Sequence, residues 1–199
     1  MQDNKTYTDE QKHAQIEKAV KNCKPLCVLG VLGNERGNKI MSDMLQWLLP
    51  VFHVHICTHD GSRFELPALQ EAKRVALEYD VPVLYIHTRG AVNEWPTTAP
   101  THRMWRREFG EQLRKYFTLA SADAPLVVAP FVDADKTTRY NGFVANPAAW
   151  VKVDLQPTAD RMDYERLWRG TDVPVIGTLL HAEESRLKEI HKILYALYG

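Results

Sequence analysis

The sequence predicts an α/β fold, a mostly parallel sheet with helices on both faces. Short apolar runs closed by glycine, histidine or aspartate alternate with segments whose apolar residues recur every three or four positions. The alternation runs strand, helix, strand, helix in order, which calls for crossover helices and buried parallel strands. With 199 residues the chain is long enough for one domain with a core.

Residues 8–22 read as a helix with a thin apolar stripe of Ile16, Ala19 and Val20. Residues 1–24 are therefore expected to be a helical appendage or an oligomer contact, and residues 25–199 a single domain. The run PLCVLGVLG (25–33) reads as a buried strand ending in glycine. Ile40, Met44, Leu45, Leu48 and Leu49 lie on one side of a helix over 37–49. Residues 52–58 form a second strand. Leu66, Leu69, Ala72, Val75, Ala76 and Tyr79 follow at helical spacing, and residues 83–86 form a third strand. Trp105, Phe109, Leu113, Tyr116 and Phe117 predict one helix over 101–119, and residues 126–132 predict a fourth strand. Past Asp133 the rhythm breaks into loops. A short strand is expected at 151–153, a helix at 164–168, a strand at 173–179, and a last amphipathic helix through Leu187, Ile190, Ile193, Leu194 and Leu197.

Bulk composition narrows the function. Twenty-five basic and 25 acidic residues cancel, so no broad field draws nucleic acid or an anionic membrane. No apolar run reaches the ~18 residues of a membrane span. The polar start MQDNKTYTDEQKHAQ does not read as a signal peptide. Three cysteines, an odd number without repeated spacing, fit a reducing compartment. The expectation is a cytoplasmic protein.

In open parallel sheets, ligands bind outside the carboxyl ends of the strands. Gly33, Asn34, Glu35 and Arg36 follow the first strand, His59 and Asp60 the second, His87 to Gly90 the third, and Asp133 and Asp135 the fourth. The turn GVLGNERG opens a helix, where glycines let backbone N–H groups approach a phosphate; a tight turn needs them equally. His87, Thr88, Arg89 and Gly90 suit a phosphate or sugar hydroxyls, or a strand-end turn tied by local hydrogen bonds. Asp133 and Asp135 can share a divalent cation that holds a diphosphate, though aspartate is also common in turns. His53, His55, Cys57 and His59 share one face of the second strand, with a zinc-ligand spacing that buried or edge histidines explain as well. Tyr140, Asn141, Gly142 and Asn146 offer a ring and amides to a sugar, or an ordinary turn. Glu165, near Asp163, Trp168 and Arg169, is a base only if the fold returns it over the sheet ends.

The order of these pieces resembles a group of bacterial polysaccharide-type glycosyltransferases with a GT-A-like, nucleotide-diphospho-sugar transferase fold. The stretch Phe64-Glu65-Leu66-Pro67-Ala68-Leu69 matches the family's Pro-containing helix start, and Tyr85-Ile86-His87-Thr88-Arg89-Gly90 its strand ending in His-Thr-Lys-Gly. Trp105-Arg106 matches a Trp-Arg pair, Tyr140-Asn141-Gly142-Phe143-Val144-Ala145-Asn146 an aromatic-x-Gly segment, and Glu165 with Trp168 a late Glu and Trp. The likeness covers about residues 25–180. Arg89 replaces the family's lysine, and Val144 and Ala145 stand where an aromatic pair is usual.

The resemblance implies a GT-A/Rossmann-like three-layer sandwich. It implies sugar transfer from a nucleotide diphosphate donor to a glycan or lipid-linked acceptor. Glu165 is then the base and Arg89 stabilises the leaving group. His87, Thr88, Gly90, Trp105, Arg106, Asn141, Gly142 and Asn146 hold substrate. Gly33, Asn34, Glu35, Arg36 and Asp60 touch the nucleotide. Asp133 and Asp135 hold Mn or Mg, and no organic cofactor is expected. The alternative is a non-catalytic nucleotide- or sugar-binding module of the same fold.

Overall fold

The computed structural model describes residues 8–92, 98–121, 123–179 and 189. The apolar positions expected to form the last helix, Leu187 to Leu197, lie outside the described residues. Helices α1 (Asp9–Lys21), α2 (Glu35–Leu48) and α3 (Leu66–Tyr79) interleave with strands β1 (Leu26–Leu32), β2 (His53–His59) and β3 (Val83–His87). Then come α4 (Thr98–Trp105), a π-helical turn (Arg106–Glu111), α5 (Leu113–Ala120), β4 (Val127–Ala129) and a 3-10 turn (Arg139–Asn141). β5 (Phe143–Ala145), α6 (Pro147–Val151), α7 (Met162–Glu165) and β6 (Val175–Gly177) complete the order.

The six strands lie in the order β2-β1-β3-β5-β4-β6. β1 pairs in parallel with β2 and β3, with Leu26 opposite His53 and Val83, and β4 pairs in parallel with β6. β5 runs against both its neighbours, β3 and β4. The sheet is thus mixed and mostly parallel, and among the described strands β5 is the reversed one.

Alternation along the strands divides the core into two layers. Leu26, Val28, Val83, Tyr85, Val127 and Phe143 face one way and pack with α1, α3 and α6 through Ile16, Leu69 and Trp150. Cys27, Leu29, Leu84, Ile86, Val128 and Val144 face the other way, toward Met44 and Leu48 of α2, Phe109 and Tyr116. Strands covered on both sides read as continuous apolar runs, which is why β1 and β3 were legible. α1 is capped by Thr8 and Gln11 in a reciprocal capping box. It carries Ile16 and Ala19 into the same apolar layer as β1 and α3.

Three expected elements come out differently. The single helix over 101–119 is broken by the π-helical turn. There Gly110 sits beneath the Trp47 ring, and the buried Glu108 accepts a hydrogen bond from Tyr116 Oη at 2.8 Å. The strand over 126–132 is three residues long, because Pro130 follows it and cannot donate to a ladder. Residues 151–153 are not a strand: Asn146 caps α6, Pro147 opens it, and the strand of this region is β5. A three-residue strand with every side chain buried carries no alternation to read.

Candidate functional site

Five strands end on one rim of the sheet, and the reversed β5 enters from that rim. Gly33 and Asn34, His59 and Asp60, His87 to Gly90, Asp133, Asp135 and the turn Arg139 to Gly142 therefore share one end of the molecule. Local bonds fix the loops. Thr88 Oγ1 accepts from Leu32 N–H at 3.1 Å, and Thr88 N–H donates to Gly30 O at 2.8 Å. Gly33 N–H donates to His59 O at 2.8 Å. Asn34 accepts from Gly37 N–H at 2.6 Å as the α2 cap and donates to Ala91 O at 3.0 Å. A Cβ on Gly37 would lie 2.0 Å from Leu32 O, so this glycine is required by the close start of the helix. Asn34 and Thr88 thus join the ends of β1 and β3. Glu35 is exposed, Arg36 half-buried, and Asp60 closes a turn by accepting from Ser62 N–H and Oγ.

A cavity of about 500 Å³ opens beside these loops, walled by Phe64, Glu65, His87, Arg89, Arg161 and Glu165 among others. His87, Thr88 and Gly90 all reach it, and Gly90 turns the chain with φ 86°. Arg89 lies over the Tyr140 ring, 5.1 Å from its centroid, and its Nη1 is 4.0 Å from Glu165 Oε1. The α7 segment that carries Glu165 is tied to the rim: Glu165 O accepts from Thr138 N–H at 2.8 Å and Thr138 Oγ1 at 3.1 Å. The fold thus returns Glu165 over the sheet ends.

Burial dominates the electrostatics. It pushes the Glu165 carboxyl above its usual range, against the pull of Arg89 and Arg161. Burial, with the charges of Arg161 and Arg89, holds His87 well below the ordinary histidine range, so its imidazole is neutral near pH 7. Burial also lowers Arg89, with Glu165 opposing. Perturbed groups gathered in a cleft make this cavity a candidate site.

Asp133 and Asp135 stand on the same rim but do not line this cavity. Asp133 Oδ1 accepts from Arg139 Nε at 2.7 Å. Asp135 accepts from Thr137 N–H and Oγ1 and pairs with Arg169 Nη2 at 3.2 Å. The Thr137 bonds, then Arg169, hold its carboxyl below the usual range. Arranged this way, each carboxylate is matched by an arginine. Among the described residues, no group of three or more His, Cys, Asp or Glu side chains is placed to share one. On the second strand, His55 Nε2 instead meets Glu71 Oε1 at 2.8 Å.

Trp105 is fully buried, packs edge-on to His87 at 5.8 Å, and presses its indole against Gly142, where a Cβ would lie 2.6 Å from Nε1. Trp105 and Gly142 therefore support His87 from behind. Asn141 is buried with φ 50°, and Arg106 points to solvent. Asn146 is at the opposite end of the sheet. It caps α6, accepts from Leu126 N–H at 3.1 Å and donates to Ala124 O at 2.7 Å, so it is not part of the rim.

Two prominent residues of the cavity escaped the sequence reading. Glu65 precedes α3 at the cap position yet makes no capping bond, because its side chain turns into the cavity. An acid before a Pro-containing helix start was its only signal. Arg161 lies 96 positions from Glu65, and nothing in the sequence links them. Comparison with family models, with curated proteins and with solved structures gave no match.

Proposed function

We propose that the chain is a glycosyltransferase moving a sugar from a nucleotide diphosphate donor to a glycan or lipid-linked acceptor, on a GT-A/Rossmann-like three-layer fold. The observation that carries this reading is the cavity at the strand ends, where Arg89, stacked on Tyr140, faces the half-buried carboxylate of Glu165. In the reaction, the bond between the sugar C1 and the diphosphate oxygen breaks, and its electron pair leaves with the diphosphate. The acceptor hydroxyl oxygen bonds C1, and its proton passes to Glu165. A base whose pKa is raised by burial suits that proton transfer. Arg89 faces the charge that develops on the leaving group, in a setting of reduced solvent screening. The loop of Gly33 and Asn34 borders the nucleotide.

A second reading, a binding module without turnover, is favoured by the arginine partners of Asp133 and Asp135, which leave no ready-made cation site. The test is a melting-point screen with UDP-, GDP- and CDP-sugars, with and without manganese, followed by a transfer assay. Stabilisation with release of free nucleotide diphosphate supports the transferase. Stabilisation without turnover supports the module. No shift with any of these compounds sinks both.

A further inference from the structure

Arg161 and Glu65 form an ion pair that satisfies only half of the carboxylate. Arg161 Nε and Nη2 both lie 2.8 Å from the same oxygen, Glu65 Oε1. An arginine fork matched to a carboxylate would use both oxygens. Here Oε2 is buried and has no hydrogen-bond partner, and the neighbouring His87 Nδ1 is in the same condition. Glu65 and His87 are each 5% exposed. Unpartnered polar atoms in such surroundings are costly. Two residues of one cavity wall that each keep such an atom, and that approach within 3.6 Å through Glu65 Oε1 and His87 Nε2, mark a place for another occupant.

Arg161 meets the other atom of each group, Glu65 Oε1 and His87 Nε2, and it is the more exposed partner. The Arg161 side chain is 46% exposed, while that of Glu65 is only 6% exposed. Nη2 of Arg161 also reaches His87 Nε2 at 3.4 Å, so the same guanidinium shields both groups. Arg161 has room to turn toward solvent or an anion, but its departure leaves the buried Glu65 carboxylate unpaired, so a new donor has to take its place.

We propose that Arg161 and a ligand hydroxyl are alternative partners of Glu65. An anionic group of the ligand draws Arg161 away, and a hydroxyl of the same ligand then donates to the freed carboxylate beside His87. Glu65 is thereby a substrate-binding residue for an uncharged, hydroxyl-bearing part of the ligand, and Arg161 binds its phosphate. The ligand class is a phosphorylated polyol. This rests on the nucleotide-sugar reading above and names the two contacts that would hold the sugar and the diphosphate apart.

The test uses the full chain and two probes, inorganic pyrophosphate and methyl glucoside, titrated separately and together by NMR. In the wild type, pyrophosphate should tighten glucoside binding about ten-fold, the ordinary scale of coupling between sites. Glu65→Gln should bind pyrophosphate more tightly, because Arg161 is released, and glucoside more weakly. Those opposite signs are not expected of a residue that only supports the fold. Arg161→Ala, at a half-exposed side chain, should weaken pyrophosphate and make glucoside binding independent of it. The proposal is overturned if the wild type does not bind pyrophosphate, or if Glu65→Gln leaves its affinity unchanged or lower. It is also overturned if Arg161→Ala retains the coupling. Should the coupling appear while no nucleotide sugar binds, the exchange stands and the transferase reading falls. Should sugar transfer occur with no response of pyrophosphate affinity to either variant, the reverse holds.

Discussion

The two ends of the strand-end rim treat the same chemistry differently. At the β1–β3 end, Glu65, Arg89 and Glu165 have side chains 6%, 19% and 15% exposed. At the β4 end, Asp133, Asp135 and Arg169 are 34%, 39% and 57% exposed. Both ends consist of carboxylate–arginine pairs. In water such pairs contribute little and remain fully hydrated. In a cavity the same charges interact strongly, shift proton affinities and leave atoms without partners. An Asp-x-Asp spacing therefore says less about chemistry than the depth at which the carboxylates lie. Buried atoms without partners, Glu65 Oε2, His87 Nδ1 and Arg89 Nε among them, lie at the cavity end, whereas Asp133 and Asp135 each have partners.

Substitutions can break or sharpen this contrast. The largest effect is expected from Arg89→Met, which removes the charge facing the leaving group. Transfer should fall about a hundred- to a thousand-fold, read as kcat with a nucleotide-sugar donor. Retained kcat would take Arg89 out of the reaction. Glu165→Gln should lower transfer about a hundred-fold. In the wild type the rate should rise with pH through a value above the usual carboxylate range, because a base must be deprotonated and burial raises this one. The variant should lose that limb, and an unchanged profile would move the base elsewhere.

Stability against pH probes the buried end independently of activity. His87 is held well below 6.5 in the folded chain, so as pH falls past 6.5 the unfolded chain takes a proton that the folded one refuses. That stability is present at neutral pH and is lost toward acid, at up to about 1.4 kcal/mol per pH unit. Glu165, raised by burial, works in the opposite sense there. Glu71, lowered chiefly by its bond to Arg74, begins to matter only below 4.5. Between pH 6.5 and 4.5, His87→Gln should therefore flatten the dependence of urea midpoints on pH. An unaltered slope would mean the imidazole is not desolvated. The smallest effect is expected at the other end. Asp135→Asn should leave both the melting point and pyrophosphate binding close to wild type, with or without manganese. A manganese-dependent loss of binding would restore a cation role for the Asp pair and undo the contrast.

Local sequence carried the architecture because its signals are local. β1, α2, β2, α3 and β3 each follow from apolar period and from turn residues within a few positions, and their order set the sheet direction. The same logic placed His87, Arg89 and Asp133 on one rim. It failed where length or context overrides period. β5 is too short to alternate, and the π-helical turn inside the expected helix depends on the contacts of Glu108 and Gly110. Asn146, chosen for its amide, lies at the far end because β5 runs backwards, a fact of strand pairing rather than of composition.

By itself, then, the sequence determined an alternating α/β chain whose polar residues gather at the carboxyl ends of parallel strands, since those features depend on neighbours along the chain. Only tertiary structure decided which charges are deprived of water and who meets whom. Arg161 reaches Glu65 across 96 positions, and Glu165 comes back over Arg89. Desolvation and pairing across such distances are properties of packing, and no local pattern encodes them.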